Sequence, residues 1–467
     1  MLDAVRSRGP GGLRAESPVA GLARHRLGVP EVLAQSVSSA APAAGMATVP
    51  GMVAVTAGAG TVWSFGIATV LALLVATCVG RFTTRMGAPG SLYSLTAKGL
   101  GPSAAVACCA ALLAGHAALV AAALTGTTLY IDALLTRVGA PHGPPVEVAV
   151  PVALAAGGAA LVARGIRVSA RMVLAVEAVS IVLVVTTLAV LARTDGALPG
   201  PVDGGGLGGV VAGVLPALGA FIGFEAATTL GVEARRPLRT VPRAVLGTAA
   251  VVGAFCLLAA ALSVRGPVAA SGALTTGRAA VVIDLGLAAS FLACTVATTN
   301  ALVRVLFTMG RDGIAPGALG AAHPRYRTPH VAVAVALGVV APVPAALIAG
   351  GTPIPAALSG LLAVATAGYL VAYLLVCVAA PVFLRRIGEL TAVPVLVTAV
   401  TAPALAAVCV AFLVGDPGAA VRAALAALLV AALGWYGWLR WWRPDRLATV
   451  GVYDETSAAD VLVTSIR

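Results

Sequence analysis

Apolar residues run through this chain in blocks rather than in alternation. Stretches of Ala, Val, Leu and Ile recur between short gaps rich in Arg, Pro and Gly, and a helix of about 20 such residues crosses the ~30 Å hydrocarbon core of a bilayer. Divided at those gaps, the sequence predicts twelve spans, near 31–57, 62–82, 103–130, 147–163, 171–192, 208–231, 243–264, 284–307, 331–349, 355–384, 392–414 and 418–439. A transmembrane barrel needs short strands of period two, and these blocks do not alternate. The expected fold class is an all-α integral membrane protein with 12 transmembrane helices.

Composition agrees with that pattern. Of 467 residues, 60% are hydrophobic and 10% charged, with a mean hydropathy of +1.00; soluble domains average about 25% charged. The net charge of +12 raises the question of a nucleic-acid partner. The basic residues are spread over the gaps between blocks rather than gathered in one patch, so membrane topology accounts for them, the lipid bilayer is the partner and no nucleic acid is expected. All seven cysteines fall inside apolar blocks without metal-ligand spacing and read as small hydrophobes. No metal and no cofactor is expected, and the oligomeric state is unknown.

Charge also orients the chain. With the N-terminus inside, 25 of the 30 Lys and Arg lie on the cytoplasmic side or at its edge, the exceptions being Arg137, Arg193, Arg265, Arg278 and Arg422. Residues 1–29 lack the apolar core of a signal peptide and are expected to be a cytoplasmic tail. An even number of spans returns residues 442–467 to the same side. One lysine, Lys98, against 29 arginines, in an Ala- and Gly-rich chain, suggests a GC-rich bacterial genome and so the plasma membrane, the bacterial inner membrane.

An odd number of spans in each half would make the second half run in the opposite membrane sense, and matching Gly/Pro interruptions are the best sequence pointer to such a repeat. Span 1 carries SVSSAAPAAG, with Ser38, Ser39, Ala41, Pro42, Ala43, Ala44 and Gly45; span 6 carries LPALGAFIGFE, with Gly219, Ala220, Phe221, Gly223, Phe224 and Glu225. The expected division is 30–192 for a first inverted repeat, 193–384 for a second, and 385–441 for two added helices. A proline removes an amide hydrogen and clashes with the preceding turn, which frees carbonyls before it and starts a new helix after it. Amides just past Pro42 suit a carboxylate, and carbonyls of Gly219 to Gly223 suit an ammonium. The two breaks are therefore candidate substrate-binding elements for a small zwitterion or amine.

Two acids, Glu177 and Glu225, lie deep inside spans. An ionised carboxylate at the bilayer centre costs on the order of 3 kcal/mol even on mild insertion scales, so both are candidates for proton coupling. Asn300 and Arg304 lie nearer the cytoplasmic end of span 8, where Arg304 is expected to snorkel. Thr295, Thr298 and Thr299, in CTVATTN of span 8, form a possible sodium site with span 1 carbonyls.

The stretch GFEAATTLGVEARRPLRTVPRAV, 223–245, resembles the sixth-helix motif of the amino acid-polyamine-organocation permeases. Three further stretches resemble that family in order and place: GAPGSLYSLTAKGLGP (87–102), GIRVSARMVLAVEAVS (165–180) and NALVRVLFTMGRDGIAPGALGAAHPRYRTPHVAV (300–333). The resemblance implies a 5+5 inverted-repeat core of the LeuT type with broken helices 1 and 6, followed by two helices, and secondary transport of an amino acid or related amine by alternating access. By position, the break at Ala41 to Gly45 would receive the substrate carboxylate and that at Gly219 to Gly223 its amino group, with Glu225 the sixth-helix acid. Glu233 to Arg243 would be a cytoplasmic hinge. The chain departs from the family pattern in three places. SSAAPAAG replaces a Gly-x-Gly, Gly219 stands where some relatives carry an aromatic gate, leaving Phe221 or Phe224 to cover the substrate, and Ser180 stands where a proton-coupled relative keeps a lysine. The expected protein is a proton-coupled or exchange permease and not an enzyme, with sodium coupling, or a substrate-binding sensor without flux, as alternatives.

Overall fold

The computed structural model describes residues 22, 25–86, 91–141, 143–194, 206–263, 278–415, 417–448 and 450–451. Within them all regular structure is helical, apart from one isolated bridge between Leu27 and Ala234. Helices α1 (Val29–Ala40) and α2 (Pro42–Ala57) are separated by Ala41 alone, and a 3-10 turn at Gly58–Gly60 leads into α3 (Thr61–Thr83). After α4 (Leu92–Leu100) come α5 (Pro102–Arg137), α6 (Pro144–Ala163) and α7 (Ile166–Thr194). Helix α8 (Gly206–Gly219) gives way to a 3-10 segment, Phe224–Leu230, before α9 (Pro237–Ser263) and α10 (Arg278–Asp312). The rest of the chain comprises α11 (His330–Val340), α12 (Pro342–Ala349), α13 (Ile354–Arg386), α14 (Ala392–Val414), α15 (Ala419–Trp442) and the short α16 (Pro444–Ala448).

Eleven runs of these described residues are long and apolar enough to cross a membrane. The expected number was twelve, and the difference lies at the start: Val29–Thr83 is one 55-residue run of helix that takes in both of the ranges 31–57 and 62–82. Such a length is far beyond the roughly 20 residues one crossing needs. Proline sets many of the starts and interruptions, because at the first turn its missing N–H is no loss. Pro42, Pro102, Pro144, Pro237, Pro342 and Pro444 each open a helix, and Pro342 divides the block 331–349 into α11 and α12.

The middle of the bundle is built on α5, which packs along α13 and α10, while α3 packs along α9. Without a hydrophobic drive between helices in lipid, association depends on close backbone approach at small residues. Gly368 of α13 supplies it against α5, where a Cβ would stand 2.6 Å from the Ala111 carbonyl oxygen. By contrast α14 and α15 leave Val395, Leu396, Val410, Leu413, Leu429 and Val430 exposed, an apolar surface suited to lipid.

Candidate functional site

The two interruptions seen in the sequence meet in the structure. Helix α1 ends where Ala41 enters the left-handed region (φ 46°, ψ 61°), and Pro42 begins α2 at once. The Ala41 N–H donates to the carbonyls of Val37 (3.1 Å) and Ser38 (3.2 Å), and the Cys294 thiol of α10 donates to that of Ser39 (3.1 Å). Carbonyls that the proline would free are thus retaken by neighbours, as buried polar groups require.

The amides that open α2 also have partners. Ala43 N–H donates to Oε1 of Glu177 at 3.1 Å, and Ala44 N–H donates to Oγ of Ser290 at 3.2 Å. The Ser290 hydroxyl donates in turn to Glu177 Oε1 at 3.1 Å, and Gly45 N–H bonds to Ala41 within the helix (2.9 Å). Glu177 is buried, and its Oε2 has no hydrogen-bond partner. An acid on α7 therefore sits on the half-helix N-terminus where a substrate carboxylate was expected.

At the second break, α8 ends at Gly219 and the chain descends through i→i+3 turns over 217–224 before the 3-10 segment. Gly223 has φ 100°, and its Cα faces Ser39 so closely that a Cβ would lie 2.7 Å from Ser39 Oγ. Ser36 ties the breaks together: its hydroxyl donates to the Phe224 carbonyl and accepts from Ala227 N–H at 3.4 Å. A Cβ on Gly45 would meet that of Ala220 at 3.7 Å. Ser38 Oγ donates to the Val173 carbonyl (3.4 Å), so it faces α7, while Ser39 Oγ shares a hydrogen bond with Thr298 (2.9 Å).

Glu225 turns toward α13. Its Oε2 accepts from the Tyr373 hydroxyl at 2.5 Å, and its Oε1 is buried without a partner. The Tyr373 ring lies 5.2 Å from Phe224 and 5.9 Å from Tyr369, which stands 5.1 Å from His116. Leu218, Phe221, Phe224, Thr366, Tyr369 and Tyr373 line a small cavity here, so both aromatics expected over the substrate face it. The sodium candidates share α10 but not partners: Thr298 bonds to Ser39, Thr295 bonds back to the Phe291 carbonyl (3.0 Å), and the Thr299 hydroxyl is buried without a partner.

Several participants were not singled out from sequence. Ser290 and Cys294 precede the sodium candidate Thr298 by eight and four residues, a spacing that puts all three on one face of α10 and was available as a signal. Tyr369 and Tyr373 repeat it on α13. Arg304 does not snorkel: it forms a buried fork with Glu233, at 2.7 and 3.0 Å, and donates to the Asn300 carbonyl (2.8 Å). Asn300 reaches Ser169 at the start of α7 (3.2 Å). Beside the fork, Leu27 N–H donates to the Glu233 carbonyl (2.8 Å) and Arg235 N–H to the Leu27 carbonyl (2.9 Å). A residue distant in sequence supplied the pairing, which is why snorkelling looked sufficient from span 8 alone.

A family model described as amino acid permease matches residues 31–415. The branched-chain amino acid permease BcaP of Bacillus subtilis is 24% identical over 317 residues, 62% of this chain and 68% of the relative. A methylthioribose transporter of the same organism is 26% identical over 313 residues, 61% and 67% of the two chains. An uncharacterized transporter of Mycobacterium tuberculosis is 29% identical over 335 residues, 68% and 73%.

Proposed function

Because the chain belongs to the amino acid permease family, we propose that it is a secondary transporter carrying an amino acid or related amine across the bacterial plasma membrane by alternating access. That it is a multi-pass membrane transporter rather than an enzyme follows from the family and the helices. The finer reading is twelve crossings with both termini cytoplasmic, two inverted repeats over 30–192 and 193–384, and two added helices. The observation that carries it is the contact of the two breaks, Ser39 against Gly223 with Ser36 bonded to Phe224, since irregular backbone at membrane depth is tolerated only where protein buries it or a cavity meets it, and paired broken helices mark the binding site of such transporters.

In this reading Ser38, Ser39 and Ala41 to Gly45 form one side of the substrate site, and Gly219 to Glu225 the other. Glu225 is the first candidate for proton coupling and Glu177 the second. The names of the relatives cover both an amino acid and a thiosugar, so the substrate is argued from the site and not from them.

Purified protein in proteoliposomes, given an imposed pH gradient, tests the reading. Accumulation of an amino acid or amine that collapses with a proton ionophore is expected; no accumulation of any compound of either class overturns it. Replacing sodium by choline during uptake separates the sodium-coupled alternative, for which the unpartnered Thr299 hydroxyl is the supporting feature.

A further inference from the structure

The amides at the start of α2 are the natural seat for a carboxylate brought by an amino acid. Here that seat is taken by the chain. Ala43 N–H is held by Glu177, Ala44 N–H by Ser290, and Gly45 N–H by Ala41. A half-helix N-terminus attracts one anion, and Glu177 also takes the Ser290 hydroxyl, so it is bound there by two donors. A second carboxylate beside it would meet like charge in a dry environment and find the first amides spent.

The remaining valences around the breaks ask for the opposite sign. Glu177 Oε2 and Glu225 Oε1 are both buried acceptors without a partner. No ion pair to a described residue reaches either acid. Among the described residues two other buried acids are matched by arginines, Glu233 by Arg304 and Asp284 by Arg137, each at 2.7 Å. A buried carboxylate with an open oxygen is costly unless a donor reaches it, and two of them flank the breaks with no cation supplied by the described residues.

We propose that the ligand taken at the two breaks is an organic amine that carries no carboxylate, with Glu177 holding the place on the Ala43 amide that an amino acid would fill with its own carboxylate. The inference rests on the transport reading above and narrows its substrate class. Glu177 is thereby a specificity-determining residue: it supplies the anion internally and turns a site for zwitterions into a site for cations. Ser290 positions it.

The test uses pairs of compounds that differ only by the carboxylate, leucine with isopentylamine and ornithine with putrescine. Uptake into proteoliposomes and ligand-induced thermal stabilisation are both read. The wild type is expected to prefer the amine of at least one pair by about tenfold or more, the discrimination a site built for one polar group supports. Equal or better handling of the amino acids overturns the inference and leaves the transport reading standing. Failure of every compound in both assays overturns the two together. Glu177→Ser, which frees the Ala43 amide and removes a charge, is expected to lose the amine and gain the matching amino acid. A folded Glu177→Ser protein with the wild-type preference also overturns the proposal, and if that variant does not fold, the wild-type pairs decide.

Discussion

Ser39 and Gly223 touch through their backbones: a Cβ placed on Gly223 would stand 2.8 Å from the Ser39 carbonyl oxygen. The two residues belong to the two breaks, and their contact is what brings the two separate interruptions together. It depends on a residue without a side chain at a positive φ of 100°, where an L-residue pays roughly 1–2 kcal/mol before any clash is counted.

Gly223→Ala is therefore expected to abolish transport while leaving the protein able to insert. Strain and collision would push the breaks apart by some tenths of an ångström or more. Initial uptake rates per folded protein, with folding followed by size-exclusion profile, check this. Near-normal uptake would show that the contact is dispensable.

Tyr373 is the hydrogen-bond donor to Glu225. Tyr373→Phe keeps the ring packing on Phe224 and removes only the hydroxyl, a loss of about 1.5–3 kcal/mol for a bond to a charged group. A roughly tenfold or larger fall in uptake is expected, together with a modest fall in melting temperature. If Glu225 carries the coupled proton, Glu225→Gln should fail to concentrate substrate against an imposed pH gradient. Full gradient-driven accumulation by Glu225→Gln would remove that residue from coupling.

The Arg304–Glu233 fork is buried, with side chains 5% and 2% exposed. Breaking a buried pair from one side leaves an uncompensated charge and costs about 3–5 kcal/mol. Glu233→Gln and Arg304→Gln should each lower the melting temperature in detergent clearly, and a double replacement by apolar residues should recover much of the loss. Singles as stable as wild type would mean that the fork contributes nothing to holding the sixth span against α10.

Arg235, Arg236, Arg239 and Arg243 are all exposed, just beyond that fork. Exchanging all four for Gln should lower the fraction of protein inserted with its C-terminus inside, measured with a C-terminal reporter. Uptake per correctly inserted molecule should stay within about twofold, because the positive-inside signal acts on insertion and not on the finished site. A severe loss of specific uptake with normal insertion would assign these arginines to the transport cycle.

Hydrophobic blocks, proline starts and the Gly/Pro interruptions are local properties, so the helical membrane class, most span boundaries and both breaks were readable along the chain. The block 392–414 and helix α14, Ala392–Val414, coincide. Glu177 and Glu225 stood out for the same local reason, since a carboxylate inside an apolar run needs a partner whatever the fold. Which partner it finds is not local. Glu177 meets Ala43 across 134 positions and Tyr373 meets Glu225 across 148, and no periodicity carries information over such separations. Arg304 shows the cost of that: near the end of its span it looked able to reach water, and only the folded chain brings Glu233 beside it. The sequence by itself determined that this protein crosses the membrane as helices and interrupts two of them. Only the tertiary structure decided that the interruptions face each other and that the chain's own acid occupies the first amides between them, because that depends on which helices pack together.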